Sequence, residues 1–471
     1  MTPSSRHPHG SRARLAGALA ARLTGPLAGA CLLAVIPCAS APPAGAAHAS
    51  PYPAAASHPP RVARAREFAR QASSSANIAG GAAGPAGGAG SPSTKTPSTK
   101  TPSRKPKAKP KPTLRGNPAR ALLAFEAMQK AYYIRGSGLY QGEPFSYLWP
   151  FSQALAATVT MSHVTGVQKV PGLSAKLARE LNARLVGLHS YLDTDNSGAS
   201  EGTFTSQLAA FDGTVAPPTG PGGTKYYDDN EWVAIELLRI YELTHNSDAL
   251  GSAEAIMAFV MAGWDTEPEL ACPGGIPFSN SSENTERNTV TDGPAAELAV
   301  KLYQLTANPQ YLTFAQTAYE WVRACLLGPN GLYADHIGAQ GKVAQTYWSY
   351  NQGSMIGAGV LLYQATHNAA YLYQARQAAR AGLAYFTPER LAQEIPFFPS
   401  VYFRNLLYLD SVTHDPPGPS LPQAYVNYAW QHLRLSSGLF VYGSPPASQL
   451  LVQAAIVQVY ALLASPPATY F

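Results

Sequence analysis

The feature that most restricts the fold is a segment that recurs about every sixty residues in the second half of the chain. Each strong copy is an apolar run with helical spacing that ends in Thr, a variable residue and Asn, and a second helical run follows it. A period of this length is typical of helical hairpins that share one core. The strong copies lie at 238–246, 300–308 and 361–368, and a weaker copy lies at 161–166.

Residues 117–471 leave room for about six such hairpins. We therefore predict an all-α fold, an (α/α)6 barrel in which six helical hairpins close into a toroid. An open α-solenoid is the alternative, but it would need unusually polar terminal repeats, and none is visible. The segments between hairpins would gather at one mouth, where we expect function. They are 203–228, 265–288, 328–350 and 387–402.

The first 116 residues have a different character. Residues 1–49 begin with arginines and continue into a charge-free stretch with small-residue cleavage patterns, which predicts a signal peptide and a secreted or cell-surface protein. An uncleaved membrane anchor is the alternative, although Gly and Pro interrupt the apolar run. Residues 50–116 are rich in Pro, Ala, Ser and Lys, which predicts a disordered basic linker. Its charge suits contact with an anionic cell wall or membrane surface, and a solvated spacer is the alternative.

Charge is distributed unevenly between these regions. Residues 1–115 contain 16 Lys and Arg and one acid, Glu67, whereas the rest contains 18 basic and 27 acidic residues. The predicted toroid is therefore acidic and lacks the charge that neutralises phosphates, which argues against a nucleic-acid partner. We expect a monomer.

Cysteine usage fits an exported protein. Cys31 and Cys38 lie in the predicted signal peptide, so only Cys272 and Cys325 remain in the toroid. One disulfide or two free buried thiols are both open. Two cysteines without suitably spaced histidines do not make a zinc site, and no Gly-rich phosphate loop follows a strand. We expect neither a metal nor a cofactor.

Two adjacent carboxylates, Asp228 and Asp229, stand at the start of an apolar helical run, between aromatic residues. Paired carboxylates are the reacting groups of most glycoside hydrolases, and aromatic rings pack against sugars. The alternative is a helix start, with Asp228 as the N-cap and Glu231 completing a variant capping box. The histidines His163, His245 and His367 recur in the hairpin turns, which indicates turn structure rather than catalysis.

The segment 226–232, Tyr-Tyr-Asp-Asp-Asn-Glu-Trp, resembles the Asp-Asp motif of glycoside hydrolase family 76. Members of that family are endo-acting α-1,6-mannanases, with fungal relatives that act on cell-wall glycan anchors. The resemblance spans roughly 117–471 and implies an (α/α)6 barrel and retention of anomeric configuration. Further similar segments follow the family's order at 148–154, 263–265, 274–276, 288–293 and 350–353.

The resemblance implies that Asp228 is the nucleophile and Asp229 the acid/base of a hydrolase that cleaves α-1,6-mannosidic bonds in mannan-type polysaccharide. A retaining mechanism needs carboxyl groups ~5–5.5 Å apart, which neighbours can supply. Lys225 would oppose proton retention if it turned inward. Glu231 replaces a small residue and Asp292 a frequent Asn, which puts glycan specificity in doubt.

The predicted substrate-binding residues are aromatic platforms and polar groups at predicted helix starts, several of which could instead be core or capping residues. A cell-wall transglycosylase of the same family, a non-catalytic glycan-binding toroid and another (α/α)6 enzyme acting on uronides or epimerising sugars are the alternatives. The predicted residues are Trp149, Tyr226, Tyr227, Asn230, Asn288, Asp292, Tyr350, Asn351 and Gln352.

Overall fold

The computed structural model describes residues 113–194, 208–281, 283–414, 418–443 and 449–471. The predicted signal peptide (1–49), most of the predicted linker (50–116), and the two cysteines Cys31 and Cys38 lie outside the described residues. Within the described ranges, no helix is both long and apolar enough to cross a membrane.

The described chain is built almost entirely from α-helices. In chain order they are α1 (Gly116–Tyr132), α2 (Leu148–His163), α3 (Leu173–Leu188), α4 (Tyr227–Thr244), α5 (Ser247–Ala262), α6 (Thr289–Thr306), α7 (Pro309–Leu326), α8 (Ser349–Thr366), α9 (Ala369–Tyr385), α10 (Pro388–Leu391), α11 (Phe397–Thr413), α12 (Ser420–Tyr428) and α13 (Leu450–Leu462). Short 3-10 turns lie at Val167–Lys169, His189–Tyr191 and Pro467–Thr469, and a π-helical turn, Ala429–Leu433, extends α12.

Helices α2, α4, α6, α8, α11 and α13 form an inner ring. Their residues are buried almost without interruption, because each packs against two inner neighbours and an outer helix. Helix α13 packs against α2, where Gln458 Nε2 donates to the backbone oxygen of Gln153 at 3.2 Å. The ring is therefore closed, which confirms the predicted (α/α)6 barrel over the open solenoid.

The outer helices explain how the chain closes on itself. Helices α3, α5, α7 and α9 each pack on the inner helix that precedes them in the chain, as the repeat predicts. Helix α1 instead packs on α13, near the other end of the sequence. Hydrogen bonds join α1 to α12 at this junction, from Asn117 Nδ2 to Gln423 Oε1 at 2.6 Å and from Arg120 Nη1 to Asn427 Oδ1 at 2.8 Å.

The recurring Thr-X-Asn segment is the turn of each hairpin. The Thr244 hydroxyl donates to the Ile240 carbonyl and accepts the N–H of Asn246, whose side chain accepts the N–H of Asp248 and caps α5. His245, between them, has a left-handed φ of 57°. The same bonds recur at Thr306–Asn308 and Thr366–Asn368, so the prediction that His245 and His367 serve turn structure is confirmed.

The long segments between hairpins carry short strands. Strand β1 (Leu192–Asp193) pairs antiparallel with β2 (Ala210–Phe211), and β3 (Arg287–Asn288) pairs antiparallel with β4 (His336–Ile337). Cys272 and Cys325 form a disulfide, with 6.1 Å between their Cα atoms. This bond fixes the segment that leads into α6 to the end of α7.

Candidate active site

The first turns of the inner helices lie at one end of the barrel, after the long connecting segments. Side chains from the starts of α2, α8 and α11 contact one another there, as Trp149, Tyr350 and Phe397 show. Each helix start carries a partial positive charge, which favours negatively charged groups at this end.

Asp228 and Asp229 lie in the first turn of α4. The N-cap residue is Tyr226, and no side chain caps the helix. Both oxygens of Glu231 lack a hydrogen-bond partner among the described residues, so no capping box forms. The alternative in which Asp228 caps the helix and Glu231 completes a capping box is therefore wrong. The partial positive charge at the helix start still stabilises both carboxylates.

The two aspartates share a buried environment. Asp229 is 1% exposed, and Asp228 is half-buried. Burial, with the charge of Asp229 added, raises the pKa of Asp228 well above its ordinary value, and the backbone amides of Asp228 and Asp229 oppose this shift. Neighbouring carboxyl groups resist ionising together, which favours the protonated form of one of them.

Lys225 does not turn toward the pair. Its ammonium lies 3.2 Å from Asp193, and both side chains are 1% exposed. Asp212 completes this cluster, since burial and then the charge of Asp193 raise its pKa to about 7 while Lys225 lowers it. The charge of Lys225 is thus engaged beneath the segment that leads into α4.

Two tyrosines that were predicted to bind substrate lie beside the Asp228–Asp229 pair. Burial and then the charges of Asp229 and Asp228 raise the pKa of Tyr226 to about 12. Burial and then the charges of Asp335 and Asp228 raise the pKa of Tyr350 well above its ordinary value. These electrostatic contacts bring both phenols into the neighbourhood of the carboxylates.

An aromatic wall formed by Trp149, Trp348, Tyr350, Phe397 and Phe398 lies next to this neighbourhood. Tyr350 stacks on Phe398 with 4.1 Å between ring centroids, and Trp149 meets Phe397 edge-on at 5.2 Å. Trp348 also packs on Phe398, at 5.3 Å. Sequence reasoning missed Phe397 and Phe398, and their position in the first turn of an inner helix was the available signal.

Three side-chain amides clamp the connecting segments to the inner helices. Asn230 accepts the N–H of Phe211 at 2.8 Å and donates to its carbonyl at 2.9 Å. Gln352 makes the same two bonds with Tyr333, and Gln453 with Phe440. Each amide is the fourth residue of its helix. Asn230 and Gln352 are fully buried and committed to backbone, so their predicted substrate contact is corrected to a structural role.

In helix α6 two residues together hydrogen-bond the backbone N–H and carbonyl of one residue in the connecting segment. Asp292, again the fourth residue, accepts the N–H of Ile276 at 3.1 Å, and the Thr291 hydroxyl donates to the Ile276 carbonyl at 3.0 Å. A carboxylate replaces an amide here because the neighbouring hydroxyl supplies the donor. Asp292 is buried and its Oδ1 has no hydrogen-bond partner among the described residues, so its substrate contact stays a prediction beside this structural role.

Tyr227 belongs to the core. Its ring is 0% exposed and stacks on Phe259, with centroids 4.5 Å apart. Gly263 packs directly against the same ring, since a Cβ there would lie 2.4 Å from it. The prediction that Tyr227 contacts substrate is therefore corrected, because no face of the ring is accessible.

Asn288 and Asn351 each have a side-chain oxygen that could accept a hydrogen bond from a substrate. Each has a buried Oδ1 without a partner among the described residues. The Asn351 Nδ2 donates to Asp335 at 3.4 Å, and the other Asp335 oxygen lies 3.1 Å from His336 Nδ1. The hydrogen bond that the His336 ring donates to Asp335 raises the pKa of His336, burial opposes this, and the charge of Glu286 raises the pKa further. Sequence reasoning missed Asp335.

A buried polar cluster lies deeper along α4 and α6. Arg404 contacts Glu297 at 3.3 Å and Glu236 at 3.9 Å, and Arg239 contacts Glu236 at 2.9 Å. Burial raises the pKa of Glu297 to about 8, against the charge of Arg404. Within the described ranges, no three His, Cys, Asp or Glu side chains are grouped to hold a metal ion.

Comparison with known proteins places most of the described helices and the Asp228–Asp229 pair within a known family. The family profile described as glycosyl hydrolase family 76 matches residues 119–408. The mannan endo-1,6-alpha-mannosidase of Saccharomyces cerevisiae is 27% identical over 143 residues, which are 28% of this chain and 31% of that protein. Its Candida albicans counterpart is 27% identical over 164 residues, or 32% of this chain and 36% of that protein. The chain thus spans about a third of the length of these curated relatives.

Solved structures extend the likeness of the fold. A family 76 mannosidase from Bacteroides thetaiotaomicron superposes with a TM-score of 0.64 at 19% identity, covering 74% of this chain and 98% of that chain. An inactive variant of an α-1,6-mannanase from Salegentibacter sp. HEL1_6, with two consecutive aspartates replaced by asparagine, was solved with α-1,6-mannotriose. It superposes with a TM-score of 0.56 at 20% identity, covering 74% of this chain and 99% of that chain.

Proposed function

Because this chain belongs to glycosyl hydrolase family 76 and is a glycoside hydrolase, we propose that it cleaves α-1,6-mannosidic bonds within mannan-type polysaccharide, with retention of configuration. The observation that carries the proposal is the buried Asp228–Asp229 pair in the first turn of an inner helix, with two tyrosines beside it. The names of the curated relatives support the choice of linkage.

The pair divides the chemistry in two steps. Asp228 attacks the anomeric carbon while Asp229 donates its proton to the leaving oxygen, which gives a glycosyl-enzyme and a shortened chain. Asp229 then takes a proton from water, the water oxygen attacks the anomeric carbon, and Asp228 leaves as a carboxylate. The shared proton of the buried pair supplies the acid for the first step. The inactive double-aspartate variant of the Salegentibacter enzyme supports assigning catalysis to consecutive aspartates.

The surroundings favour a neutral sugar. The aromatic wall offers ring faces and edges against which C–H groups can pack. The acidic balance of the region after residue 115 disfavours a polyanionic substrate. Asn288, Asn351, Tyr226 and Trp149 are the proposed contacts, together with Tyr350.

Release of reducing ends from linear α-1,6-mannan tests the proposal. We expect Asp228→Asn and Asp229→Asn each to lower kcat by about a thousandfold or more, since each removes a reacting group. Asp248→Asn is the matched control, because it makes the same change on the exposed first turn of the neighbouring helix α5. Full activity in both site variants would remove the assignment. Adding an acceptor sugar to the same assay separates hydrolysis from glycan transfer.

External azide separates the two roles. In a variant lacking the nucleophile, azide can attack directly and give the inverted mannosyl azide, provided that the substrate has a good leaving group. In a variant lacking the acid/base, azide attacks the glycosyl-enzyme and gives the retained product. We expect the inverted azide from Asp228→Ala and the retained azide from Asp229→Ala. The opposite pattern would exchange the two roles.

We also propose export, with residues 1–49 as the signal, 50–116 as a linker and 117–471 as the catalytic domain. The Cys272–Cys325 disulfide supports this location, because such bonds persist mainly in oxidising compartments. N-terminal sequencing of protein recovered from the medium tests the cleavage site, and retention in the cytoplasm would overturn the proposal.

A further inference from the structure

Glu231 occupies an unusual position below the aspartate pair. It follows Asp228 by three residues on α4, so the two side chains lie on the same side of the helix. The residue is 0% exposed, and both of its carboxyl oxygens are buried without a hydrogen-bond partner among the described residues. A buried charge without a partner is strongly unfavourable, so the protonation state of Glu231 needs a physical account.

The charged groups around Glu231 are mostly acidic. Asp228 lies on the same helix, and Asp292 and Glu297 face it from α6. From α11, Arg404 is engaged by Glu297 and Glu236, and on α4 itself Arg239 is engaged by Glu236. From α8, Tyr350 faces Asp228, and the buried polar residues of α2 are uncharged.

Asp228, Asp292 and Glu297 each accept at least one hydrogen bond, whereas Glu231 accepts none among the described residues. Asp292 accepts the N–H of Ile276, and Asp228 is served by first-turn amides of α4. Glu297 accepts from Arg404. Burial raises the pKa of Glu231 well above its ordinary value, and its three acidic neighbours raise it further. A fully buried carboxyl with no donor and three acidic neighbours is favoured in its protonated, uncharged form.

We propose that Glu231 is a positioning residue held as an uncharged acid, whose O–H donates a hydrogen bond to the Asp228 carboxylate and keeps Asp228 ionised for attack. The inference rests on the proposed role of Asp228 as nucleophile. Asp228 must carry a negative charge beside Asp229, and a donor to the charged form offsets part of that penalty. A neutral buried acid supplies such a donor without adding charge.

The pH dependence of kcat/KM on linear α-1,6-mannan tests this role in the full-length protein. Glu231→Met removes the donor at similar volume, so the acidic limb should move upward by about one pH unit or more. Below that limb kcat/KM should fall about tenfold or more relative to the wild type, and the difference should shrink as pH rises. Glu231→Gln keeps an N–H donor without charge, so its limb should stay within about 0.3 units of the wild type.

Glu242→Gln is the matched control, because Glu242 lies on the same helix but pairs with Lys301 and is 35% exposed. Its profile should coincide with the wild type. A limb that moves downward in Glu231→Gln would show that Glu231 is charged and would overturn the inference. So would a Glu231→Met profile that is lowered equally at all pH values, since that is the result of a purely structural role.

Infrared difference spectroscopy gives a readout that does not depend on turnover. At neutral pH the wild-type spectrum minus that of Glu231→Gln should contain a carboxylic-acid C=O band, and the wild-type spectrum minus that of Glu242→Gln should contain none. Absence of the band from the Glu231→Gln difference overturns the inference even if mannan is cleaved. Presence of the band with no mannan cleavage would instead reject the proposed function and leave the uncharged Glu231 in place.

Discussion

At the residue scale, Gly357 shows how closely the inner helices approach one another. A Cβ at this position of α8 would lie 2.1 Å from Glu297 Oε1 and 2.2 Å from Asn405 Oδ1. Both oxygens belong to buried side chains of neighbouring inner helices, so neither can move without disturbing the polar cluster around Arg404. Only a residue without a side chain fits there.

We therefore expect Gly357→Ala to lower the free energy of unfolding by about 1–3 kcal/mol through overpacking. Gly251→Ala on the outer helix α5 is the control, because nothing lies within 4 Å of its Cβ position. That change should raise stability by up to about 1 kcal/mol through helix propensity. Denaturant unfolding of both variants measures the difference, and equal effects would contradict the packing argument.

Glu394 links a buried carboxyl to stability. It accepts hydrogen bonds from the backbone N–H and hydroxyl of Ser349 at the start of α8, and burial raises its pKa from 4.5 to about 8. The folded chain therefore keeps a proton that the unfolded chain releases. Its stabilising contribution is complete below about pH 4.5 and is lost as pH rises toward about 8.

Glu394→Gln should flatten this dependence, because an amide can accept from one Ser349 group and donate to the other at any pH. The decline in unfolding free energy across this window should shrink by on the order of a few kcal/mol. The exposed Glu269→Gln is the control and should keep the wild-type slope. Parallel slopes in all three proteins would count against the raised pKa.

At the scale of elements, the hairpin turn is the unit that the sequence reveals best. All of its hydrogen bonds join residues within four positions of one another, so the recurring segment was enough to predict a turn there. The Asp228–Asp229 pair was predictable for a related reason, since any first turn of an inner helix reaches the same end of the barrel.

The rest of the site depends on contacts between distant residues. Asn230, Gln352 and Gln453 hold backbone groups that lie 19, 19 and 13 residues away, in segments whose path the sequence does not specify. An isolated Asn or Gln at a helix start suits a sugar or a cap equally well. Asp335 and Phe398 were missed because neither stands in a repeat or a charged pair.

The turn also contains strain that can be measured. Ala307 at the end of α6 has a φ of 57°, a left-handed conformation that side chains disfavour. Ala307→Gly should raise the unfolding free energy by about 0.5–1 kcal/mol. Ala258→Gly in the middle of α5, where the side chain is exposed and the backbone helical, should lower it by about 1 kcal/mol. Thermal unfolding should therefore shift in opposite directions, and a shift of the same sign would contradict the strain.

At the scale of the whole molecule, the disulfide ties an active-site segment to the outer wall. It joins residues separated by 53 positions, and Arg287 holds the same segment by donating to the carbonyls of Ala271, Cys272 and Gly274. That segment continues to Ile276, which hydrogen-bonds Asp292. The covalent link thus supports the base of α6 as well as the fold.

Loss of the disulfide should destabilise the barrel by about 4 kcal/mol, the loop-closure value for a ring of this size. Unfolding of the wild type with and without reductant measures the loss. The Cys272→Ala/Cys325→Ala double variant should match the reduced wild type and ignore reductant. A reductant effect of equal size in the double variant would place the sensitivity elsewhere.

Ring closure limits how such a protein can diversify. An open stack of repeats can gain or lose a unit at either end, but a ring has no end to which a unit can be added without changing its radius. The number of hairpins is therefore fixed, and novelty must come from divergence of the copies at their places. One inner helix begins with two carboxylates, another with Asn, Thr and Asp, and a third with Tyr, Asn and Gln. Each hairpin is held in position by its neighbours. The copies can therefore differ mainly in the residues that their inner helices present at the centre of the ring.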